Sequence, residues 1–178
     1  MPLTPLHYPI AYLVNKVNRN LSLPGLIVGS MIPDFEIPVI LFINGFDGPN
    51  RLVLHSLLGS ATLGTALAIL VTIKFYPILV SSLFRVDKEK VENKCNLSLA
   101  LVFSVLIGNI FHVLLDFTNH QYSPILWPFL EADKTPSPIF MFLGEQFGYL
   151  WIQVIMGFLL LVLILVEKKD LVEKLLIG

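Results

Sequence analysis

An apolar run from Leu97 to Phe117, long enough to cross a bilayer, leads into the stretch GNIFHVLLDFTNH, Gly108–His120, and so carries ionisable side chains to membrane depth. His112 and Asp116 are four positions apart. On a helix they share one face, about one turn from each other, where an imidazole and a carboxylate can converge on one cation. Each charged residue in hydrocarbon costs roughly 2.5–3.5 kcal/mol on insertion scales, so the pair marks either a functional site or a hydrogen bond that packs helices together. The stretch by itself leaves both readings open.

Composition fixes the setting. The chain has 178 residues, 55% of them hydrophobic and only 14% charged, with a mean hydropathy of +0.77. That describes one integral-membrane domain, residues 1–178, folded as an all-α polytopic bundle. The net charge of −1 offers nothing to nucleic acid. With Cys95 the sole cysteine, an internal disulfide and a cysteine-rich zinc motif are both excluded, and a metal has to rest on His and carboxylates. The first residues, MPLTPLHYPI, lack Lys and Arg and are followed by no small-residue cleavage site, so they read as part of the mature fold.

Along the chain, Tyr8–Val17 reads as a short amphipathic helix lying at the interface. Leu23–Ile43 has the length of a span but is cut by Pro33 and Pro38 around Asp34 and Glu36, which predicts two half-helices meeting at an acidic corner. Phe42–Arg51 is a Gly-, Asn- and Pro-rich loop. Leu52–Ile73, Leu97–Phe117 and Phe147–Val166 are the three clear spans, the first rich in small residues that permit close helix approach. Arg85–Asn96 reads as a charged connector. His120–Pro138 reads as a Pro-rich loop with interfacial Trp127 and Phe129. If the broken N-terminal segment re-enters without crossing, residues 1–51 and 118–146 share one face. Most Lys and Arg then lie on the other, which the positive-inside rule makes cytoplasmic. The four histidines, His7, His55, His112 and His120, with Asp34 and Asp116, then fall near the external face and are free to meet.

Four motifs in order, TPLHYP around His7, GSMIPDFE around Asp34, LHSLLG around His55 and GNIFHVLLDFTNHQYSPILWP around His112, resemble the YdjM-like family of small membrane proteins. That family is identified as metal-dependent hydrolases and is similar to the all-helical zinc-dependent phospholipases C. The resemblance covers about residues 4–129. It implies that Asp34, His55, His112 and Asp116 form one metal set, with His7 joining it or beginning a second; His120 and Glu145 are further candidate ligands, and Glu36 is either a ligand or a partner orienting a histidine. It also implies one or two divalent ions, Zn2+ by preference, with Asp34 or Asp116 accepting the proton of the attacking water, and a lipid or amphiphilic phosphoester substrate at the outer face of the cell membrane. Ser56 and Thr118 read as helix hydroxyls, Asn109 and Asn119 as neighbours of the site or packing polar groups. A non-catalytic metal site or a proton or ion relay is the competing reading, and three spans give a relay room only in an oligomer.

Overall fold

A computed structural model describes residues 4–45, 50–131, 134–167 and 171–178. Every regular element among them is helical, with one isolated bridge between Tyr122 and Pro136. The helices are α1 Tyr8–Val17, α2 Leu23–Gly29, α3 Glu36–Asn44, α4 Leu57–Lys74 with a π-helical stretch at Ser60–Gly64, α5 Tyr76–Phe84 and α6 Lys88–Lys94. After them come α7 Leu99–Asn119, α8 Pro138–Gly148, α9 Trp151–Val166 and α10 Leu171–Leu176. Short 3-10 turns at Thr4–His7 and Ile32–Phe35 precede α1 and α3.

Three stretches are long and apolar enough to cross a membrane, Leu23–Asn44, Leu57–Lys74 and Leu99–Asn119, and α8 with α9 qualifies as a fourth only as a pair bent by 79°. The broken N-terminal segment is therefore one of the three. The expected span Phe147–Val166 is shorter than expected, because the helix is interrupted by a turn at Tyr149–Leu150 and α9 starts only at Trp151. Leu52–Ser56 is a turn and not the first turn of a span, because Ser56 caps α4 by accepting from the Gly59 N–H at 3.0 Å. The charged connector contains α6, started by Asp87, whose carboxylate accepts from the Glu89 N–H at 2.9 Å.

The core is α2 against α7. All seven residues of α2 are buried. On α7 the buried positions run Leu101, Ser104, Val105, Gly108, Asn109, His112, Val113, Asp116, a stripe at helical spacing. Glycines let the two backbones touch. A Cβ on Gly108 would lie 2.5 Å from the Leu26 carbonyl oxygen, and one on Gly29 would strike the Val105 carbonyl. Ser22, the N-cap of α2, accepts from the Gly25 N–H and gives its own N–H to Ser104 Oγ at 2.8 Å, fixing the register.

α1 does not lie at the interface on the site's face. Its Pro9, Ala11, Tyr12 and Asn15 are buried, and it runs antiparallel to α2, the turn closed by Asn15 Nδ2 donating to the Leu21 carbonyl at 2.8 Å. Its far end meets the chain's end: Lys16 pairs with Glu167 at 2.6 Å, and Arg19 borders one recess with Lys94 and Ile177. Lys90 pairs with Glu173 at 2.8 Å in the same region. Lys16 and Arg19 thus belong to the basic end of the bundle and not to the histidine end, a correction to the sequence expectation. The reason is that the apolar stripe of α1 finds a protein partner in α2 and α9. Lys168, Lys169 and residues 46–49 of the expected loop lie outside the described residues.

Gly108→Ala is expected to cost about 1–3 kcal/mol through overpacking at the α2–α7 contact. Thermal unfolding in detergent checks this against Gly157→Ala, where a Cβ meets nothing within 4 Å and no loss is expected.

Candidate metal centre

Four buried residues from three segments of the chain offer ligand atoms lying within 4.8 Å of one another: Asp34 from the turn before α3, His55 from the turn before α4, and His112 and Asp116 from α7. The two histidines have fixed tautomers. His112 Nδ1 lies 2.7 Å from the Ser30 carbonyl at the end of α2, an oxygen that can only accept, so Nδ1 carries the hydrogen and Nε2 presents a bare lone pair. His55 Nδ1 lies 2.9 Å from Glu36 Oε2 and donates to it, with the same consequence.

Glu36 is itself held. Its carboxylate accepts from the backbone N–H groups of Leu52, Val53 and Leu54 at 3.2, 2.6 and 3.1 Å. The turn that carries His55 is thereby wrapped around the carboxylate that orients it, the carboxylate–histidine arrangement common behind metal ligands. Asp34 is fixed by Thr4, whose hydroxyl donates to Oδ2 at 2.5 Å and leaves Oδ1 turned inward.

What faces inward is a set of acceptors. His55 Nε2 lies 3.7 Å from Asp34 Oδ1 and 3.6 Å from Asp116 Oδ2; His112 Nε2 lies 3.6 and 3.9 Å from the same two oxygens. These distances exceed a hydrogen bond. Bonds of about 2.0–2.1 Å to one tetrahedral zinc set ligand-to-ligand edges of about 3.3–3.4 Å, so the observed spacing is that of ligands around an ion, slightly expanded. Each of the inward atoms is buried without a hydrogen-bond partner. Histidine and aspartate without thiolate suit zinc, manganese and related divalent ions. The charge fits too: against the three buried carboxylates of Asp34, Glu36 and Asp116 stands one guanidinium, Arg51 beside Asp116, and a divalent ion neutralises the remainder.

His7 and His120 both meet the cluster at Asp116, and His7 at His112 as well. His7 Nε2 lies 3.6 Å from Asp116 Oδ1, its Nδ1 3.3 Å from the Thr4 carbonyl, and its ring stacks on His112 at 4.0 Å between centroids. His120 Nε2 lies 3.8 Å from Asp116 Oδ2. Burial, reinforced by the Arg51 charge, pushes the His120 imidazole down to about 3, so it is neutral at ordinary pH. Glu145 is exposed, unlike any member of the cluster. Thr118 back-bonds to the Leu115 carbonyl at 2.7 Å. With its amide nitrogen turned toward them, Asn119 donates to the Gly148 carbonyl at 2.7 Å and the Tyr149 carbonyl at 3.2 Å, tying α7 to the α8–α9 bend. Asn109 is fully buried, with both amide atoms unpartnered. Arg51 joins the site without any signal in the sequence. It stands in a loop, and only the folded position of Asp116 brings the two together.

A family model described as a domain of unknown function (DUF4184) matches residues 1–174. No curated protein and no solved structure matches the chain.

Glu36→Gln keeps the shape but removes the charge behind His55, and is expected to weaken zinc binding by about 10- to 100-fold. Titration against a competing chelator checks this, with exposed Glu145→Gln expected to bind as the parent does.

Proposed function

Because the chain belongs to this DUF4184 family, whose description assigns no activity, the reading rests on its own site residues and on the resemblance of their motifs: we propose that it is a membrane-embedded, metal-dependent hydrolase acting on a phosphoester such as a lipid head group. One observation carries the metal centre. Lone pairs from two imidazoles and two carboxylates converge in a buried space with no donor among them, an arrangement that is repulsive unless a cation sits at its middle. Asp34, His55, His112 and Asp116 hold that ion. When bound, a divalent ion polarises a phosphoryl oxygen and lowers the pKa of a water toward neutrality.

The chain's own groups do the rest. Asp116 keeps Oδ1 turned away from the quartet toward Nε2 of His7, so these two are the pair placed to take a proton from a water between them. Asp34, bonded to Thr4, is the more constrained carboxylate and serves as ligand first. Phosphoester hydrolysis draws on the likeness of the four histidine and aspartate motifs to the YdjM-like family and, through it, to zinc-dependent phospholipases C. An amphiphilic substrate draws on an apolar slot of about 430 Å³ whose walls include Pro5, Ile32 and Phe35, neighbours in sequence of His7 and Asp34, and descend to Tyr76 and Leu176. An extracytoplasmic site draws on the positive-inside rule, applied to the basic residues Lys16, Arg19, Lys90 and Lys94 at the opposite end.

A structural ion is the second reading, favoured by the count of four protein ligands, which closes a tetrahedron and leaves no open position. The hydrolase is preferred because Asp116 Oδ1 and His7 Nε2, outside the quartet, stand beside it 3.6 Å apart and without hydrogen-bond partners.

Elemental mass spectrometry of the detergent-purified protein is expected to find about one divalent ion per chain, or two if His7 and His120 complete a second position, lost in His112→Ala and Asp116→Ala. Activity on a phosphoester panel is expected to vanish with chelation and return with zinc or manganese. A folded protein that takes up neither metal ends the proposal; a metal-loaded protein inert on every phosphoester leaves the structural ion.

A further inference from the structure

Arg51 brings a positive charge to a site that already calls for a cation. Its side chain is only 14% exposed, and Nε lies 3.6 Å from Asp116 Oδ2, too far for a hydrogen bond. Nε is buried without a partner, and the guanidinium forms no hydrogen bond with any described residue. A buried arginine normally spends its donors on a carboxylate, bidentately. Here the nearest carboxylate is turned so that Oδ2 serves the two histidines of the quartet.

Loading the quartet sharpens the conflict. With an ion drawing on Asp116 Oδ2, that oxygen has less to give Arg51, and an anion that reaches both the ion and the guanidinium uses the donors left over. His120, the other group beside Asp116 Oδ2, carries no negative charge in any protonation state relevant to water and is not that anion. The anion needs oxygens for both partners. A carboxylate gripped by the fork reaches the metal only through an oxygen it already shares, whereas a phosphoryl group offers two to the guanidinium and a third to the ion.

We propose that Arg51 is the residue that recognises the substrate's anion, its planar fork gripping the non-bridging oxygens of a phosphate or phosphate ester held beside the metal centre. This rests on the metal-dependent reading above and adds to it the residue that selects the phosphoryl group. The backbone just after Arg51 favours the same role. The N–H groups of Leu52, Val53 and Leu54 are anchored on Glu36, so the loop residue starts from a fixed point.

The test compares the parent protein with Arg51→Gln and Arg51→Lys in detergent, each loaded with zinc and assayed first for metal content. Binding of inorganic phosphate and of a short-chain phosphatidic acid below its micellar concentration is then followed by calorimetry. Equal metal content is expected in all three proteins, with phosphate binding weakened roughly 10- to 100-fold in Arg51→Gln, less in Arg51→Lys, and lost in the metal-stripped parent. Tighter binding of phosphatidic acid with the same Arg51 dependence identifies a lipid source for the phosphate; equal binding identifies a soluble ester. Unchanged phosphate affinity in metal-loaded Arg51→Gln overturns the inference and leaves the metal centre standing, as does a metal-loaded parent that binds neither probe. Loss of metal from both variants makes Arg51 a structural neighbour of Asp116 and also overturns it. A parent that holds no metal overturns both readings together.

Discussion

A carboxylate oxygen cannot hydrogen-bond to an imidazole nitrogen that carries no proton, and at the centre of this bundle two such nitrogens face two such oxygens. The tautomers are imposed from behind, by the Ser30 carbonyl on His112 and the Glu36 carboxylate on His55. Buried charge of one sign is tolerated only when compensated, so the surroundings of the cluster follow from this one requirement. They comprise a capped turn that wraps Glu36, a hydroxyl that holds one oxygen of Asp34, and a single guanidinium at the edge. Each fixes a donor atom in place before any ion arrives, which lowers the cost of reorganisation when it does.

That arrangement depends in turn on how closely two helices pass. Ser30 is the C-cap of α2, and its carbonyl reaches His112 because Gly29 and Gly108 remove the side chains that would hold α2 and α7 apart. In lipid, where apolar contact between helices gains little over apolar contact with acyl chains, such backbone-to-backbone approach is a principal source of helix association. The carbonyl groups at the end of α2, left over by the helix itself, are used there to aim a ligand. Stability of the bundle and geometry of the site share the same few residues.

The helical class, the membrane setting and the pairing of His112 with Asp116 are legible in the chain, because they depend on hydropathy and on the 3.6-residue period, both local. Glu36 is recognisable as a histidine's partner only through the likeness of its motif. Its actual role, three backbone N–H groups and one imidazole on one carboxylate, joins residues 16 to 19 positions away. The place of α1 is not legible, because an apolar stripe looks the same whether it faces lipid head groups or another helix. Glu145 stands in a promising motif and is exposed. Arg51 stands in an uninformative loop and lies beside Asp116.

The sequence by itself determined that this protein is helical, that it belongs with membranes and that its few histidines and aspartates require an explanation, since each of these follows from what a residue costs in hydrocarbon. Only the tertiary structure decided which of those groups share one space, which face of each imidazole is bare and which cation stands next to them. Those properties are set by distances of a few ångströms between segments far apart in the chain, and a one-dimensional pattern does not encode them.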